Sequence, residues 1–170
     1  METNKNTGIH ITFVVDDKTY AVPALSLQGI IGNPKITPII NAPEFVIGFF
    51  TMNDLLIPIL DLRLILKRPN EVHPNKTCVI IVRVAFRGQE KLVGFIVDSL
   101  YSLYHIEISE IERLSSYNKT EFIEGVITKE DKIILLLSLE KIINEKNVIY
   151  FLNCIWNFED NVNNTNKNEV

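Results

Sequence analysis

The segment FVIGFFTMNDLLIPILDLRLIL, Phe45 to Leu66, returns as FIEGVITKEDKIILLLSLEKII, Phe122 to Ile143. Phe45 answers to Phe122, Gly48 to Gly125, Thr51 to Thr128, Asp54 to Asp131 and Leu62 to Leu139, each 77 residues on. A self-match at one fixed offset means one structural unit built twice, which narrows the possible folds more than composition does. Each copy reads as aromatic, glycine, strand, polar turn, apolar strand and short amphipathic helix. A fainter match precedes it: Val22, Leu25 and Ile31 align with Val97, Leu100 and Ile106, 75 residues on.

Around the copies the chain reads as β-rich. Ile9 to Val15 and Thr19 to Val22 form a hairpin about the polar turn Asp16-Asp17-Lys18, and Pro23 ends it. Ala24 to Ile31 reads as a helical turn running into a strand, with Ser99 to Ile106 as its counterpart. Cys78 to Phe86 and Lys91 to Val97 form a second hairpin about Arg87-Gly88. In the first copy, Asn41 and Pro43 suit the start of a helical turn over Phe45 to Ile47 that closes at Gly48. Gly48 and Gly125 then read as helix-end glycines. Phe49 to Met52 and Leu55 to Leu60 are strands joined by Asn53-Asp54, and Asp61 caps a helix over Leu62 to Lys67. Residues 68–76, RPNEVHPNK, are the linker between halves. Val148, Phe151, Leu152, Ile155 and Trp156 recur at helical spacing, which predicts a final helix packed on the rest. The expected division is a first unit over about 9–67, a second over 77–143, a helical extension over 144–158 and a disordered tail over 159–170. The first strand is free to cross over.

Chemistry is sparse. His10, His73 and His105 share no metal-ligand or triad spacing. There is no phosphate-cradling glycine loop and no G-x-S-x-G. Asp16-Asp17 and Glu130-Asp131 read as exposed turn residues rather than acid/base pairs. No residue pattern calls for a metal or cofactor. The net charge of −4 disfavours general affinity for nucleic acid or anionic lipid. No apolar run approaches the roughly 20 residues of a membrane span, so direct insertion is not expected. The polar start METNKNTG shows no signal peptide, which makes the cytoplasm the default compartment. Cys78 and Cys154 lie in apolar stretches and read as buried, inert thiols. A binding module is the class that remains, with a small β-barrel enzyme or ligand carrier as the alternative from another class.

Several segments together resemble the CheW family, adaptors of bacterial chemotaxis arrays. They are Phe13 to Val22, Asn41-Ala42-Pro43 with Phe45 and Gly48, Ile57-Pro58 with Asp61-Leu62-Arg63, Val93-Gly94 with Val97-Asp98, and Gly125 with Ile133 to Leu139. The likeness spans residues 9 to 143. It implies a mainly β fold of two five-stranded, SH3-like barrels packed side by side. It implies a non-catalytic scaffold that couples methyl-accepting chemoreceptors to the CheA histidine kinase, and attachment to membrane arrays only through those partners.

The resemblance also carries a candidate receptor groove onto Ile11, Ala24, Leu27, Ile30 and Leu100, with Asn53 and Asp54 beside it. Plain core packing accounts for the five apolar positions equally well. No kinase-binding residues are implied. The chain departs from the family where Asn-Leu-Arg-Gly is usual: here stand Thr51, Met52, Asn53 and Asp54. The family's arginine is thus Asn53, and an acidic residue common upstream falls on Gly29. In the family these two can lie near each other, and losing both charges is coherent where losing one strands its partner. A specialised paralogue that keeps the kinase but serves another receptor class is the second reading.

Overall fold

The computed structural model describes residues 7–66, 78–114 and 121–167. The linker 68–76, His73 and most of the terminal octapeptide fall outside that range. Strands β1 (Gly8–Val15), β2 (Lys18–Pro23) and β3 (Leu27–Gly32) come first, with a 3-10 turn at Ala24–Ser26 before β3. Then follow β4 (Val46–Met52), β5 (Leu55–Asp61) and the short helix α1 (Leu62–Ile65). The second half repeats this order with β6 (Cys78–Phe86), β7 (Gln89–Val97), β8 (Ser99–Ile106), β9 (Ile123–Lys129), β10 (Lys132–Leu137) and α2 (Leu139–Ile143). A long helix, α3 (Lys146–Lys167), ends the described chain.

The fold is mainly β, in two five-stranded sheets ordered β8-β1-β2-β10-β9 and β3-β6-β7-β5-β4. Each half of the chain therefore gives its hairpin to one sheet and its other three strands to the other sheet. The exchange involves the whole β1–β2 hairpin, and the β6–β7 hairpin reciprocates. Because the strand that closes each exchange runs parallel to its neighbour (β10 on β2, β5 on β7), the halves interlock rather than abut.

The ladders correct the fainter sequence match. On β3, Leu27 faces Val82 and, past one extra residue, Gly29 faces Ile81 and Ile30 faces Ile80. On β8, Leu100 faces Phe13 and, again past one extra residue, Leu103 faces Ile11. The shared bulge makes Leu27 the equivalent of Leu100 and Ile30 the equivalent of Leu103 (100 − 27 = 103 − 30 = 73). The offset is thus 73, not 75. The hairpins differ in length between the halves, and apolar residues at every second position let a two-residue slip still look matched.

All four hairpins close through two-residue turns with φ > 0 at both positions: Asp16-Asp17, Asn53-Asp54, Arg87-Gly88 and Glu130-Asp131. This geometry matches the right-handed twist of the strands it joins. Side chains inside each sheet build a small private core. Ala21, Ile106, Ile127, Ile134 and Leu136 fill one, and Ile57, Ile59, Val79, Ile81 and Ile96 fill the other. The largest cluster lies where the sheets meet and takes in Phe13, Tyr20, Ile80, Phe95, Leu62, Ile142 and the buried side of α3.

Three expectations change here. There is no helical turn over Phe45 to Ile47. Val46 already belongs to β4, and Gly48 lies within that strand beside a bridge in which Thr37 and Phe49 each donate an N–H to the other's carbonyl at 2.9 Å. Gly125 is likewise a strand residue, next to the matching bridge between Glu112 and Val126. The final helix does not stop near residue 158 but runs to Lys167, so 159–167 is not a disordered tail. Once a helix is nucleated, extension costs little, and the Lys91–Asp160 ion pair (2.8 Å) ties the added turns to β7. Cys154 is exposed, not buried. Its apolar neighbours Leu152 and Trp156 lie two residues away, about 200° around a helix at 3.6 residues per turn, so their face is not its face. Cys78 is half-buried, and both thiols are free.

Candidate functional site

The five apolar groove candidates fall on strands and a turn at the junction of the sheets. Ala24 sits in the 3-10 turn that joins β2 of one sheet to β3 of the other, and that turn packs against both β1 and β6. Leu27 is half-buried at the head of β3 against the large central cluster, which also contains Ile11. Ile11 is a core residue, 6% exposed. Ile30 and Leu100 are open to solvent at 45% and 38%. The structure therefore splits the set: Ile11 belongs to the core, and Ile30 and Leu100 are on the surface on the two edge strands. Since Leu27 and Leu100 are equivalents, the candidates straddle the pseudo-twofold relation between halves.

Sequence reasoning missed the remaining exposed apolar side chains of this region. They include Leu25 at 88%, Leu103 at 62% and Ile9 at 57%. The signal was present for Leu103, which shares its bulge-defined place with Ile30, but the 75-residue alignment hid it.

Asn53 and Asp54 form the exposed tip of the β4–β5 hairpin, at the other edge of their sheet from β3. Next along the chain, Leu55 and Leu56 line a hollow of about 130 Å³ with Trp156, Glu159 and Asn163 of α3. The tip is therefore a neighbour of α3. That volume is well below the ~300 Å³ at which ordinary ligand pockets begin. Gly29 is unconfined: a Cβ built there meets nothing within 4 Å, and its φ is not in the left-handed region. A larger side chain could stand there without strain.

Polar groups near the site are few and mostly partnered. The Tyr104 hydroxyl donates to Glu130 Oε2 at 2.8 Å, and that hydrogen bond is the main reason its pKa is pushed up to about 12. Lys132 Nζ lies 3.7 Å from the centre of the Tyr101 ring. Deeper in the junction, Arg63 makes a two-pronged contact to Asp61 at 2.7 and 2.9 Å and reaches Asp98 at 3.5 Å. The Asp61 hydrogen bond is the first reason the Arg63 pKa lies above its ordinary value. No cluster of three or more His, Cys, Asp or Glu suited to a metal ion occurs among the described residues.

His10, on β1 beside Ile11, is buried, and its Nδ1–H donates to the Gly8 carbonyl at 3.0 Å. Burial lowers its pKa below 6.5, the Gly8 bond partly opposes this, and the nearby His105 adds to the lowering. Between the folded pKa and 6.5 the unfolded chain binds a proton that the folded chain does not. Stability from this group is thus complete above pH 6.5 and is lost as pH falls through the folded pKa. The slope is at most about 1.4 kcal/mol per pH unit. Urea unfolding at pH 7.5 and at pH 5 should show a larger acid loss in the wild type than in His10→Gln. Equal losses would mean that His10 is not the titrating group.

These features define a two-sheet β scaffold with an apolar junction and, among the described residues, no cluster suited to a metal ion. The CheW-like domain model matches residues 10–147, and the chain belongs to the CheW-like domain family. Among its relatives are proteins described as chemotaxis protein CheW from Helicobacter pylori and from Klebsiella aerogenes. The first is 26% identical over 148 residues, covering 85% of this chain and 86% of that one. The second is 22% identical over 139 residues, covering 80% and 81%. The crystal structure of the scaffolding protein TtCheW from Thermoanaerobacter tengcongensis superposes with a TM-score of 0.73 at 23% identity, covering 83% of this chain and 95% of that one. Among the described residues no helix is long and apolar enough to cross a membrane.

Proposed function

We propose that this chain is a chemotaxis coupling adaptor: a non-catalytic scaffold that joins chemoreceptors to a CheA-type histidine kinase on the cytoplasmic side of a receptor array. The observation that carries the reading is apolar surface left open on the two edge strands, Ile30 of β3 and Leu100 of β8, with Leu27 half-buried against the cluster that contains Ile11. A receptor tip is a helical hairpin, and an amphipathic helix gains most of its affinity by laying an apolar stripe into such a groove. The kinase contact is assigned to a separate surface, without named residues. Binding of a receptor hairpin fragment and of the kinase regulatory domain, measured separately, tests the reading. Binding of neither would end it.

In this reading Asn53 and Gly29 replace a charged pair of the family. Asn53→Arg alone should weaken receptor binding or leave it unchanged, because Gly29 offers no carboxylate. Adding Gly29→Glu, for which there is open space, should recover part of any loss. A double-mutant cycle on receptor affinity reads the coupling, and an interaction energy under about 0.5 kcal/mol would show that the two positions are not partners.

A further inference from the structure

One face of α3 is left in water by the packing of the other. Val148, Phe151, Leu152 and Trp156 are buried against the sheets, with the Trp156 ring 4.7 Å from Phe86. On the outward side stand Asn147, Tyr150, Cys154, Phe158 and Asn161, all exposed. Tyr150 is 73% and Phe158 62% exposed, far more than aromatic side chains of this size usually are. Relative to Cys154 these residues sit at −7, −4, 0, +4 and +7. At 100° per residue all five fall within about 40° of one line along the helix.

This stripe is a palindrome in residue class: asparagine, aromatic, cysteine, aromatic, asparagine. A twofold contact between identical chains requires a patch that is complementary to itself when reversed. Antiparallel pairing of two such helices about Cys154 sets Tyr150 of each copy on Phe158 of the other. Asn147 then meets Asn161, two amides that can each give and accept, and the two Cys154 thiols meet on the axis. No charged side chain lies in the stripe, although the chain carries −4 overall. Two copies thus approach there without the repulsion that like charges elsewhere would bring.

We propose that α3 is a homotypic docking helix through which two copies of this chain pair, antiparallel, about Cys154. The stripe is only about 20 Å long, which places the contact among small, transient interfaces rather than permanent dimers. Such pairing is populated where copies are concentrated. It does not depend on the adaptor reading above, since it uses a different face.

Sedimentation velocity of the full chain from about 5 to about 200 μM tests this, because weak dimers reveal themselves through concentration dependence. The weight-average coefficient should rise with concentration for the wild type and stay monomeric for Phe158→Glu, with an unchanged melting temperature. In a Cys78→Ser background, a short bismaleimide should link two copies through Cys154 at least tenfold faster than in Phe158→Glu. Asn161→Lys, which sets a charge against the partner's stripe, serves as a second variant should Phe158→Glu misfold. A monomer across the whole range would overturn the proposal. So would a dimer, or a Cys154 crosslinking rate, that both substitutions leave intact.

Discussion

Replacing Gly48 with alanine should cost the protein about 3 kcal/mol or more, enough to threaten a fold whose total stability is of the order of 5–15 kcal/mol. Two causes act together. Gly48 has φ +153°, a region that is nearly closed to residues with a side chain. A Cβ there would also lie 2.1 Å from the Thr37 carbonyl oxygen and 2.8 Å from its carbon. These are backbone atoms, held by the paired Thr37–Phe49 hydrogen bonds, so they cannot turn aside as a side chain does. Gly125, its partner in the second half, supplies the contrast. A Cβ there meets the Ile111 Cγ2 methyl at 2.6 Å and Glu112 O at 3.3 Å, without positive φ. Relief there needs a shift of the Ile111 side chain rather than of a hydrogen-bonded backbone, and no positive φ adds to the strain, so Gly125→Ala should cost less, about 1–2 kcal/mol. Urea unfolding of both variants checks the order. If Gly48→Ala unfolds within about 1 kcal/mol of the wild type, the close approach of the 37 segment is not what requires glycine here.

The pair also shows what the sequence could and could not disclose. That positions 48 and 125 are equivalent was legible from the constant 77-residue offset. Why each is glycine was not, because the reason is a segment ten or more residues upstream folding back onto the strand. Local signals, Asn41 and Pro43 ahead of an aromatic, imitate a helix start, and only the tertiary bridge overrules them. The turns at Asn53-Asp54 and Arg87-Gly88 were legible because two-residue hairpins have strong local chemistry. The exchange of hairpins between sheets was not, since a duplication fixes which strands are alike and leaves open which strands pair. For the candidate site, the family resemblance named positions 11, 24, 27, 30 and 100, but not which of them are open to solvent. In the structure Ile11 is core, Leu27 half-buried, and Ile30 and Leu100 exposed, a distinction that periodicity alone does not carry. The outward stripe of α3 went unread for a related reason: the stronger stripe at 148, 151, 152 and 156, with Ile155 half-buried beside it, masks a second apolar face on the same helix.

The second large effect should come from Arg63, through a network that the Asp-Leu-Arg sequence hints at but does not describe. Asp61 ends β5 and caps α1, accepting the Arg63 backbone N–H at 2.9 Å. Its side chain is only 6% exposed, and the guanidinium, 14% exposed, is its counter-charge. Arg63 also reaches Asp98, which in turn accepts the backbone N–H of Asp16 in the β1–β2 turn at 2.7 Å. The chain of contacts thus runs from the end of one sheet to a turn of the other. Truncating one member of a buried pair strands the other charge, a loss of about 3–5 kcal/mol when burial is complete. Arg63 keeps some contact with water, so Arg63→Ala should cost about 2–4 kcal/mol. The second half shows how the same corner is built without an aspartate–arginine pair. Ser138 stands where Asp61 does, caps α2 by accepting the Lys141 N–H at 3.2 Å, and is followed at the arginine position by Glu140. Asp61→Ser should therefore remove the need for the guanidinium while keeping the cap. The double variant Asp61→Ser/Arg63→Ala should be more stable than Arg63→Ala alone, by about 1 kcal/mol or more of coupling. Urea unfolding of the four proteins in the cycle measures it. Additive losses would mean that Arg63 acts through its contact with Asp98 or through packing of its stem, and that Asp61 is adequately held by the helix terminus alone.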